Sequence, residues 1–415
     1  MNEMTLYWIW LQLCLGSGAK VDESVAYFEN PKAIYDAGDT QRVYSNAFTS
    51  NQLKKLKTKT LEDAEKVLIE CEKTGCGIIT PDNEKYPRKL MCMTNYPLVL
   101  YTLGDLNCLK GREAISIVGT RRASDSGLDI AGKLSASLCR AGVTVVSGGA
   151  FGIDSAAHLG ALSEKGKTVA VLGCGINAKY RDGITGFRQD IIENGAIISE
   201  YHPSVEAKGT NFPIRNRIIA ALSLGTVVVE AATKSGSLIT ANLALDYGRD
   251  VFAVPGNAAN LVQMGTISLI RDGATPVFSS LDILGQYAFT HPDTIDWEKV
   301  ESDLLYHNHE QIDFSKIKYE VKRVIGGKND APVDKREYKD IIPETDKQKF
   351  EEKKINLNIS PDAQKVLDVF GDGPVTIDEI TEQTSLTMPK ILVALTQLEI
   401  SGIIKSQPGH IYLKK

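Results

Sequence analysis

The chain lacks several features that would assign it to common classes of protein. Its seven cysteines contain no CxxC pair, so neither a zinc site nor a disulfide framework is expected, and a reducing cytoplasm is the predicted location. Positive charge is not in excess, and the net charge of −5 argues against a protein that coats nucleic acid by general attraction. The apolar run at residues 4–15 is too short to span a bilayer and lacks a signal peptide's basic start and cleavage pattern. We therefore expect a buried first helix and no membrane span.

The chain is long enough for two to four domains. Its 415 residues exceed what one core organises, and a hydrophobic content of 43% is ordinary for globular proteins. Short segments broken by glycine and proline predict a small helical domain over 1–104, and an α/β domain follows over 105–290. Residues 291–356 hold 16 acidic and 13 basic residues and predict a charged linker. Residues 357–415 predict three helices and a hairpin, the pattern of a winged helix.

The α/β domain is predicted from short apolar runs that alternate with helical segments. Continuous apolar runs of this length are typical of parallel strands buried on both faces. Such alternation predicts a doubly wound sheet, whose ligands bind beyond the carboxyl ends of its strands. The predicted strands are residues 114–118, 143–147, 168–172, 196–200, 226–230 and 250–254.

Glycine turns follow two of these strands and present backbone N–H groups that could bind phosphate. Gly119-Thr-Arg-Arg122 follows the first strand, and Ser147-Gly-Gly-Ala-Phe-Gly152 follows the second. Ser235-Gly-Ser237 opens a later helix and offers further donors. The GGxxG spacing is not the dinucleotide fingerprint, and no acidic residue ends the next strand to hold a ribose, so the sequence gives little support for an NAD site.

The run Asn211-Phe-Pro-Ile-Arg-Asn-Arg-Ile-Ile-Ala-Ala-Leu-Ser223 predicts a helix with Arg215 and Arg217 near its start. A guanidinium fork at a positively polarised helix end suits phosphate, so both arginines are predicted phosphate contacts. The alternative is that they form ordinary ion pairs, for instance with an internal carboxylate such as that of Glu230.

Five ordered segments resemble the motifs of the DNA-processing protein A (DprA/Smf) family. They are Gly119-Thr-Arg121, Ser147 to His158, Asn211 to Ile219, Glu230 to Ala241 and Gly248 to Gly256. The resemblance implies an extended Rossmann domain that binds single-stranded DNA, forms a homodimer and helps load the RecA recombinase on incoming or damaged DNA. It also implies an N-terminal module of the sterile-alpha-motif type.

The predicted DNA-phosphate contacts combine these turns, the helix and a divergent loop. Family members usually carry Tyr-Pro-x-x-Asn with a basic residue where this chain has residues 173–188, so the second basic contact is one of Lys179, Arg181 and Arg188. A later Gly-Thr-Asn motif has lost its asparagine at Gly265-Thr-Ile, which leaves the contacts of that loop open. The complete predicted set is Gly119, Arg121, Arg122, Ser147, Gly148, Gly152, Lys179, Arg181, Arg188, Arg215, Arg217, Ser235, Gly236 and Ser237.

No catalytic residue, metal or cofactor is predicted. Asp154 and His158 lie four apart on one helix face, but a helix-start acid and a packing histidine are favoured over an acid–base or metal pair. Glu230 ends a strand, as in phosphoribohydrolases, yet their PGGxGTxxE motif is absent, so Glu230 is expected to orient the glycine turn or an arginine. A nucleotide-binding or nucleotide-hydrolysing Rossmann enzyme remains the alternative function. For the winged helix, seven acidic against five basic residues favour a protein contact over duplex binding.

Overall fold

A mixed sheet of nine strands organises the larger unit of the chain in the computed structural model. The chain forms two compact units, residues 1–331 and 332–415, each with most of its contacts within itself. The structure describes residues 3–258, 260–302, 312, 314, 360–371, 375–384, 386, 388–407 and 411–414. The strands are β1 Gly77–Ile79, β2 Leu100–Gly104, β3 Ala114–Val118, β4 Thr144–Ser147, β5 Thr168–Leu172, β6 Ala196–Ser199, β7 Gly225–Val228, β8 Asp250–Ala253 and β9 Thr275–Pro276.

The strand order is β1-β2-β6-β5-β4-β3-β7-β8-β9. From β6 to β9 all neighbours are parallel, whereas β2 is antiparallel to both β1 and β6. The chain leaves β3 toward β4 on one side and leaves β7 toward β8 on the other. This reversal opens a crevice at the carboxyl ends of the strands, as in doubly wound folds generally.

Helices cover both faces of the sheet. Alternate strand residues point to opposite faces. Val145 joins the core under α7 (Asp125–Arg140) and α8 (Ile153–Ser163), and Val146 joins the core shared with α1 (Met4–Leu15), α10 (Asn211–Leu222) and α11 (Gly236–Asp246). The predicted α/β, doubly wound architecture is therefore confirmed. The helices are α1 Met4–Leu15, α2 Asp22–Phe28, α3 Pro31–Asp36, α4 Asp39–Tyr44, α5 Ser50–Thr58, α6 Leu61–Thr74, α7 Asp125–Arg140, α8 Ile153–Ser163, α9 Arg188–Asn194, α10 Asn211–Leu222, α11 Gly236–Asp246, α12 Met264–Arg271 and α13 Ser280–Leu284.

The N-terminal helices and the sheet share one core. The apolar run at residues 4–15 forms the buried helix α1, whose Trp10 is fully buried. The predicted boundary at residue 104 differs from the observed one, because β1 and β2 lie before it and extend the sheet beyond β6. Within the predicted domain 1–104, the described residues before β1 have helices as their regular secondary structure and the later ones include β1 and β2. No helix in the described part of the chain has the length and apolar content needed to cross a membrane.

The segment after α13 continues to pack on the sheet unit. Ile295 and Glu301 are buried, and a guanidinium nitrogen of Arg140 lies 2.7 Å from a carboxylate oxygen of Glu301. The start of the predicted linker is thus part of the folded unit rather than a spacer. The remainder of 291–356, apart from Ile312 and Phe314, lies outside the described residues.

The smaller unit has the predicted winged-helix pattern. Its helices are α14 Pro361–Leu367, α15 Ile377–Thr384 and α16 Met388–Ile400. A sheet of β10 Val375–Thr376, β12 Ile411–Lys414 and β11 Ile404–Gln407, in that order, forms the wing. The hydroxyl oxygen of Ser360 caps α14 by accepting the N–H of Ala363 at 3.2 Å.

Candidate nucleic-acid interface

A small pocket lies at the carboxyl ends of β3, β4 and β5, where the fold predicts a ligand. Three loops and the first turn of α10 form its wall. The lining residues are Arg121, Gly148, Gly149, Ala150, Phe151, Leu172, Gly173, Cys174, Tyr180, Asp182 and Phe212.

Phe212 is the centre of a cation–aromatic stack in this pocket. The guanidinium carbons of Arg121 and Arg215 lie 5.2 and 5.8 Å from the centre of its ring. The Tyr180 ring lies 5.9 Å away, tilted by 48°. Arg121 is exposed and Tyr180 is 38% exposed, so a charged group and an aromatic ring both face solvent beside Phe212. Such a pairing suits a ligand that carries both phosphates and flat rings.

Arg215 lies beneath the pocket rather than on its surface. Its side chain is 4% exposed. Its Nη1 donates to the carbonyl oxygen of Gly148 at 2.6 Å and also to that of Val171, which ties the ends of β4 and β5 together. Burial lowers the pKa of Arg215, and the carboxylate of Asp154 opposes this shift. Arg215 therefore holds the strand ends and places a positive charge under the pocket floor.

Arg217 is not brought to the pocket. It is 3% exposed, and its Nη2 lies 2.5 Å from a carboxylate oxygen of Glu200. Residues two apart on a helix point about 200° from each other, so Arg215 and Arg217 face different neighbours. The prediction of paired phosphate contacts therefore differs from the structure at Arg217. The ion-pair alternative describes this residue, with Glu200 rather than Glu230 as the partner.

The glycines of the two turns bring the loops into contact. Gly152 has a φ of +81°, and a Cβ there would strike the carbonyl oxygen of Thr120. A Cβ on Gly119 would lie 2.6 Å from Ile153, and one on Gly148 would lie 2.8 Å from Arg215. Glycine at these positions allows the loop after β4 to support the loop that carries Arg121.

The predicted serine contacts have mostly structural partners. Ser147 is buried within β4, and its hydroxyl donates to the carbonyl of Ile117 at 2.6 Å. Ser235 caps α11 by accepting the N–H of Ser237 at 3.4 Å, and Ser237 is itself buried. Gly236 is exposed, and its carbonyl accepts from Asn216 Nδ2 at 3.3 Å. Asn216 also accepts from Arg215 Nε at 3.1 Å, which connects the start of α11 to the pocket.

The remaining predicted cations differ in exposure. Arg122, Lys179 and Arg181 are exposed, and the latter two flank Tyr180. Arg188 is half-buried; it donates to the carbonyl of Ile176 at 2.7 Å and lies 3.7 Å from a carboxylate oxygen of Asp182. Among the three alternatives for the second basic contact, Lys179 and Arg181 thus face solvent on the loop beside the pocket.

Glu230 orients the loop that carries Arg121, as the sequence predicted for the glycine turn. Its carboxylate accepts the N–H of Ser124 at 2.8 Å and the side-chain amide of Gln263 at 3.0 Å. Its carbonyl accepts the N–H of Thr120 at 2.7 Å. The contacts of Ser124 and Thr120 tie the loop after β3 to the end of β7, and that of Gln263 ties the turn before α12 to the same place.

His158 is a packing residue, in agreement with the favoured prediction. It is fully buried, and its Nδ1 lies 2.7 Å from the hydroxyl of Thr168. Burial, with the nearby charge of Arg215, lowers the pKa of His158 to about 3, so the ring is neutral. Burial raises the pKa of Asp154, and Arg215 opposes that shift. Within the described residues, no three His, Cys, Asp or Glu side chains are placed to hold a metal ion.

Tyr180 and Phe212 were not among the predicted site residues. Phe212 stands in the Asn-Phe-Pro start of α10, and Tyr180 lies between Lys179 and Arg181. An aromatic residue between two cations is itself a signal for nucleic-acid binding, because bases stack on such rings.

Fold and pocket together define a doubly wound Rossmann-type protein whose carboxyl-edge pocket combines cations with stacked aromatic rings. A family model described as DNA recombination-mediator protein A matches residues 77–288, and one described as DprA winged helix domain matches residues 352–410. The chain therefore belongs to the DNA recombination-mediator protein A (DprA/Smf) family, a group of DNA-processing proteins.

Individual relatives agree with this assignment. Protein Smf of Escherichia coli is 30% identical over 97% of this chain and 94% of its own length. Protein Smf of Synechocystis is 33% identical over 84% of this chain and 82% of its own length. The X-ray structure of DNA processing protein A from Streptococcus pneumoniae matches with a TM-score of 0.61 and 29% identity, covering 69% of this chain and 99% of that one.

Proposed function

We propose that the chain binds single-stranded DNA across the pocket, protects it, and helps load the RecA recombinase during natural transformation and recombination. The observation that carries the DNA-binding part is the stack of Arg121, Phe212 and Tyr180. An exposed guanidinium can bind a phosphate while the neighbouring rings accept an unpaired base. The RecA-loading part of the proposal rests on family membership.

A single strand fits this site better than a duplex. Bases in a duplex are stacked on each other, so their faces cannot reach an aromatic platform, whereas single-strand binding commonly uses such platforms. A net charge of −5 also gives the chain little general attraction for a duplex backbone.

Binding without catalysis is the favoured mode, and nucleotide hydrolysis is the second candidate. Asp182 supports the second, because it lines the pocket and burial raises its pKa, as is frequent for catalytic carboxyls. However, its Oδ1 already accepts from Thr185 Oγ1 at 2.8 Å and from the N–H of Ile184 at 3.2 Å. These contacts give Asp182 a role in shaping the loop.

One pair of assays separates the two functions. Titration of labelled single-stranded and duplex oligonucleotides of equal length should show a clear preference for the single strand. Incubation with nucleoside monophosphates should release no free base. Hydrolysis without single-strand binding would instead support the enzyme.

We further propose a homodimer that forms through the larger unit. Large apolar side chains are exposed close together in the sequence after β9: Phe278 is 67% exposed, Leu281 45% and Phe289 99%. Exposed apolar patches commonly mark protein interfaces, and we propose that these three side chains contribute to one. Light scattering should give twice the monomer mass for the wild type, and Phe289→Asp should lower the measured mass toward that of a monomer. A wild-type monomer at micromolar concentration would contradict the dimer.

The RecA part of the proposal has its own test. RecA nucleation should be faster on single strands that carry a single-strand-binding protein when this protein is added. We also propose a cytoplasmic location. It fits the two proposed partners, single-stranded DNA and RecA, and the seven free cysteines, six of which are buried.

A further inference from the structure

Helix α10 is held from two sides. Arg215 faces the ends of β4 and β5, as described above. Arg217 faces the N-terminal helices, where its ion pair with Glu200 is almost fully buried. Phe212, in the first turn of the same helix, lines the pocket. Any shift of α10 would therefore move both the aromatic platform and the buried charge beneath it.

Glu200 joins α10 to the N-terminal helices. Its carboxylate accepts the N–H of Gly18, in the turn after α1, at 3.2 Å and also contacts Arg217. Its backbone carbonyl accepts from Gln12 Nε2, within α1, at 2.6 Å. The amide oxygen of Gln12 in turn accepts from the hydroxyl of Tyr101 at 3.1 Å. Because the pair is buried, leaving either charge unpaired costs free energy, so Glu200 and Arg217 resist separation.

Gly18 also rests directly against α10. It has a φ of +75°, and a Cβ at this position would lie 2.6 Å from Ile214 Cγ2 and 3.8 Å from Arg217 Nε. The turn after α1 is therefore in van der Waals contact with the helix face between Phe212 and Arg217. Interiors packed this closely transmit displacements rather than absorb them.

We infer that the N-terminal helical segment positions the DNA pocket: through Gly18 and the Glu200–Arg217 pair it sets the location of α10, and so of Phe212 and Arg215. The inference rests on the proposed single-strand binding. Gly18, Glu200 and Arg217 act here as positioning residues that need not touch DNA.

A matched pair of glycine substitutions in the full-length protein tests this. Gly16 also has a positive φ, +83°, and nothing within 4 Å of its would-be Cβ, so Gly16→Ala strains the same turn without touching α10. Gly18→Ala adds the collision with Ile214. We expect Gly18→Ala to weaken binding of a labelled oligothymidine by about threefold to thirtyfold relative to Gly16→Ala, the range for mutations between coupled sites.

Rescue distinguishes positioning from general destabilisation. Ile214 is 36% exposed, so Ile214→Ala should fold, and combined with Gly18→Ala it should restore affinity to that of the single Ile214→Ala variant by removing the collision. Equal affinity of Gly18→Ala and Gly16→Ala, with wild-type binding intact, would overturn the inference but not the proposed function. Absence of wild-type binding would instead overturn the proposed function.

Glu200→Gln provides a second route if Gly18→Ala does not fold. The amide keeps the shape of the side chain while removing the charge that pairs with Arg217. A folded Glu200→Gln protein should bind the oligonucleotide more weakly than the wild type. Wild-type affinity in this variant would contradict the positioning role.

Discussion

At the scale of single residues, Arg121 is the side chain on which the proposed interface most depends. It is the exposed cation of the stack on Phe212 and stands in a loop fixed by Glu230 and Gly152. Arg121→Ala should weaken single-strand binding by about 1–3 kcal/mol, the scale for losing a charged hydrogen bond. Fluorescence anisotropy with a labelled oligonucleotide measures the change.

Arg112 provides the control for Arg121. It is also exposed, but it precedes β3, and its guanidinium donates to the carbonyl of Gly142 at 2.9 Å near the opposite end of the sheet. Arg112→Ala removes the same charge and should leave affinity almost unchanged. Equal losses in both variants would mean that only net charge matters.

His158 gives a prediction about pH and stability. Its folded pKa of about 3 lies below the usual 6.5 of an unfolded chain, because burial opposes the charged ring. The unfolded state therefore binds the additional proton as pH falls below 6.5, and the stability contribution present at neutral pH is progressively lost between pH 6.5 and 3. The loss is about 2 kcal/mol by pH 5 from linkage.

Comparison of the wild type with His158→Asn isolates this effect. Asp154 and Glu200, whose pKa values burial raises, are present in both proteins and largely cancel in the difference. Urea unfolding at pH 7 and pH 5 should show a smaller decrease in the variant. Parallel decreases in the two proteins would show that His158 does not titrate on unfolding.

At the scale of elements, the contact between the loops after β3 and β4 should contribute to both stability and binding. Gly152→Ala forces a side chain into a left-handed backbone and against Thr120, which should cost about 1–3 kcal/mol or more in unfolding free energy. Gly248 has a φ of +64° with nothing within 4 Å, so Gly248→Ala is the matched control. In urea unfolding, Gly152→Ala should lose more stability than the control. Similar losses would show that the contact with Thr120 adjusts to the added Cβ at little cost.

Much of the sheet could be predicted from the sequence, because buried parallel strands are continuous apolar runs. Residues 114–118 and 168–172 coincide with β3 and β5. β1 could not be predicted, since three residues carry no periodicity and its pairing with β2 depends on contacts distant in the chain.

The candidate site was predictable as a region but not residue by residue. Helical spacing placed Arg215 and Arg217 on one short helix, yet which neighbour each guanidinium would meet depends on Gly148, Val171 and Glu200, far away in sequence. The roles of these side chains therefore follow from tertiary packing, which local patterns do not encode.

At the scale of the whole molecule, residues 1–331 form a unit with its own core. The ion pair of Arg140 with Glu301 and the buried side chain of Ile295 lie inside this unit. A chain that ends at residue 331 should therefore fold and keep most of the single-strand affinity. Circular dichroism checks the fold and anisotropy the binding. A folded protein that has lost affinity would show that the winged helix shares the DNA site.

The dependence of binding on salt follows from the distribution of charge over the whole chain. The protein carries 47 basic and 52 acidic residues, so DNA must be held by a local group of cations rather than by the overall field. Arg121, Arg122, Lys179 and Arg181 are exposed on two loops, at the carboxyl ends of β3 and β5. Each phosphate neutralised on a single strand contributes about −0.7 to the slope of log K against log salt, so four cations predict a slope on the order of −2 to −3 per chain.

Titrations between low and moderate potassium chloride concentrations measure this slope directly, and oligothymidine and oligoadenosine should bind similarly because phosphate contacts carry no base information. Arg121→Ala should make the slope shallower by about the contribution of one phosphate, whereas Arg112→Ala should not change it. A nearly flat slope that Arg121→Ala leaves unaltered would mean that the arginines serve only internal partners. A much steeper slope would require a second positive surface elsewhere on the protein, since four exposed cations cannot release that many counterions.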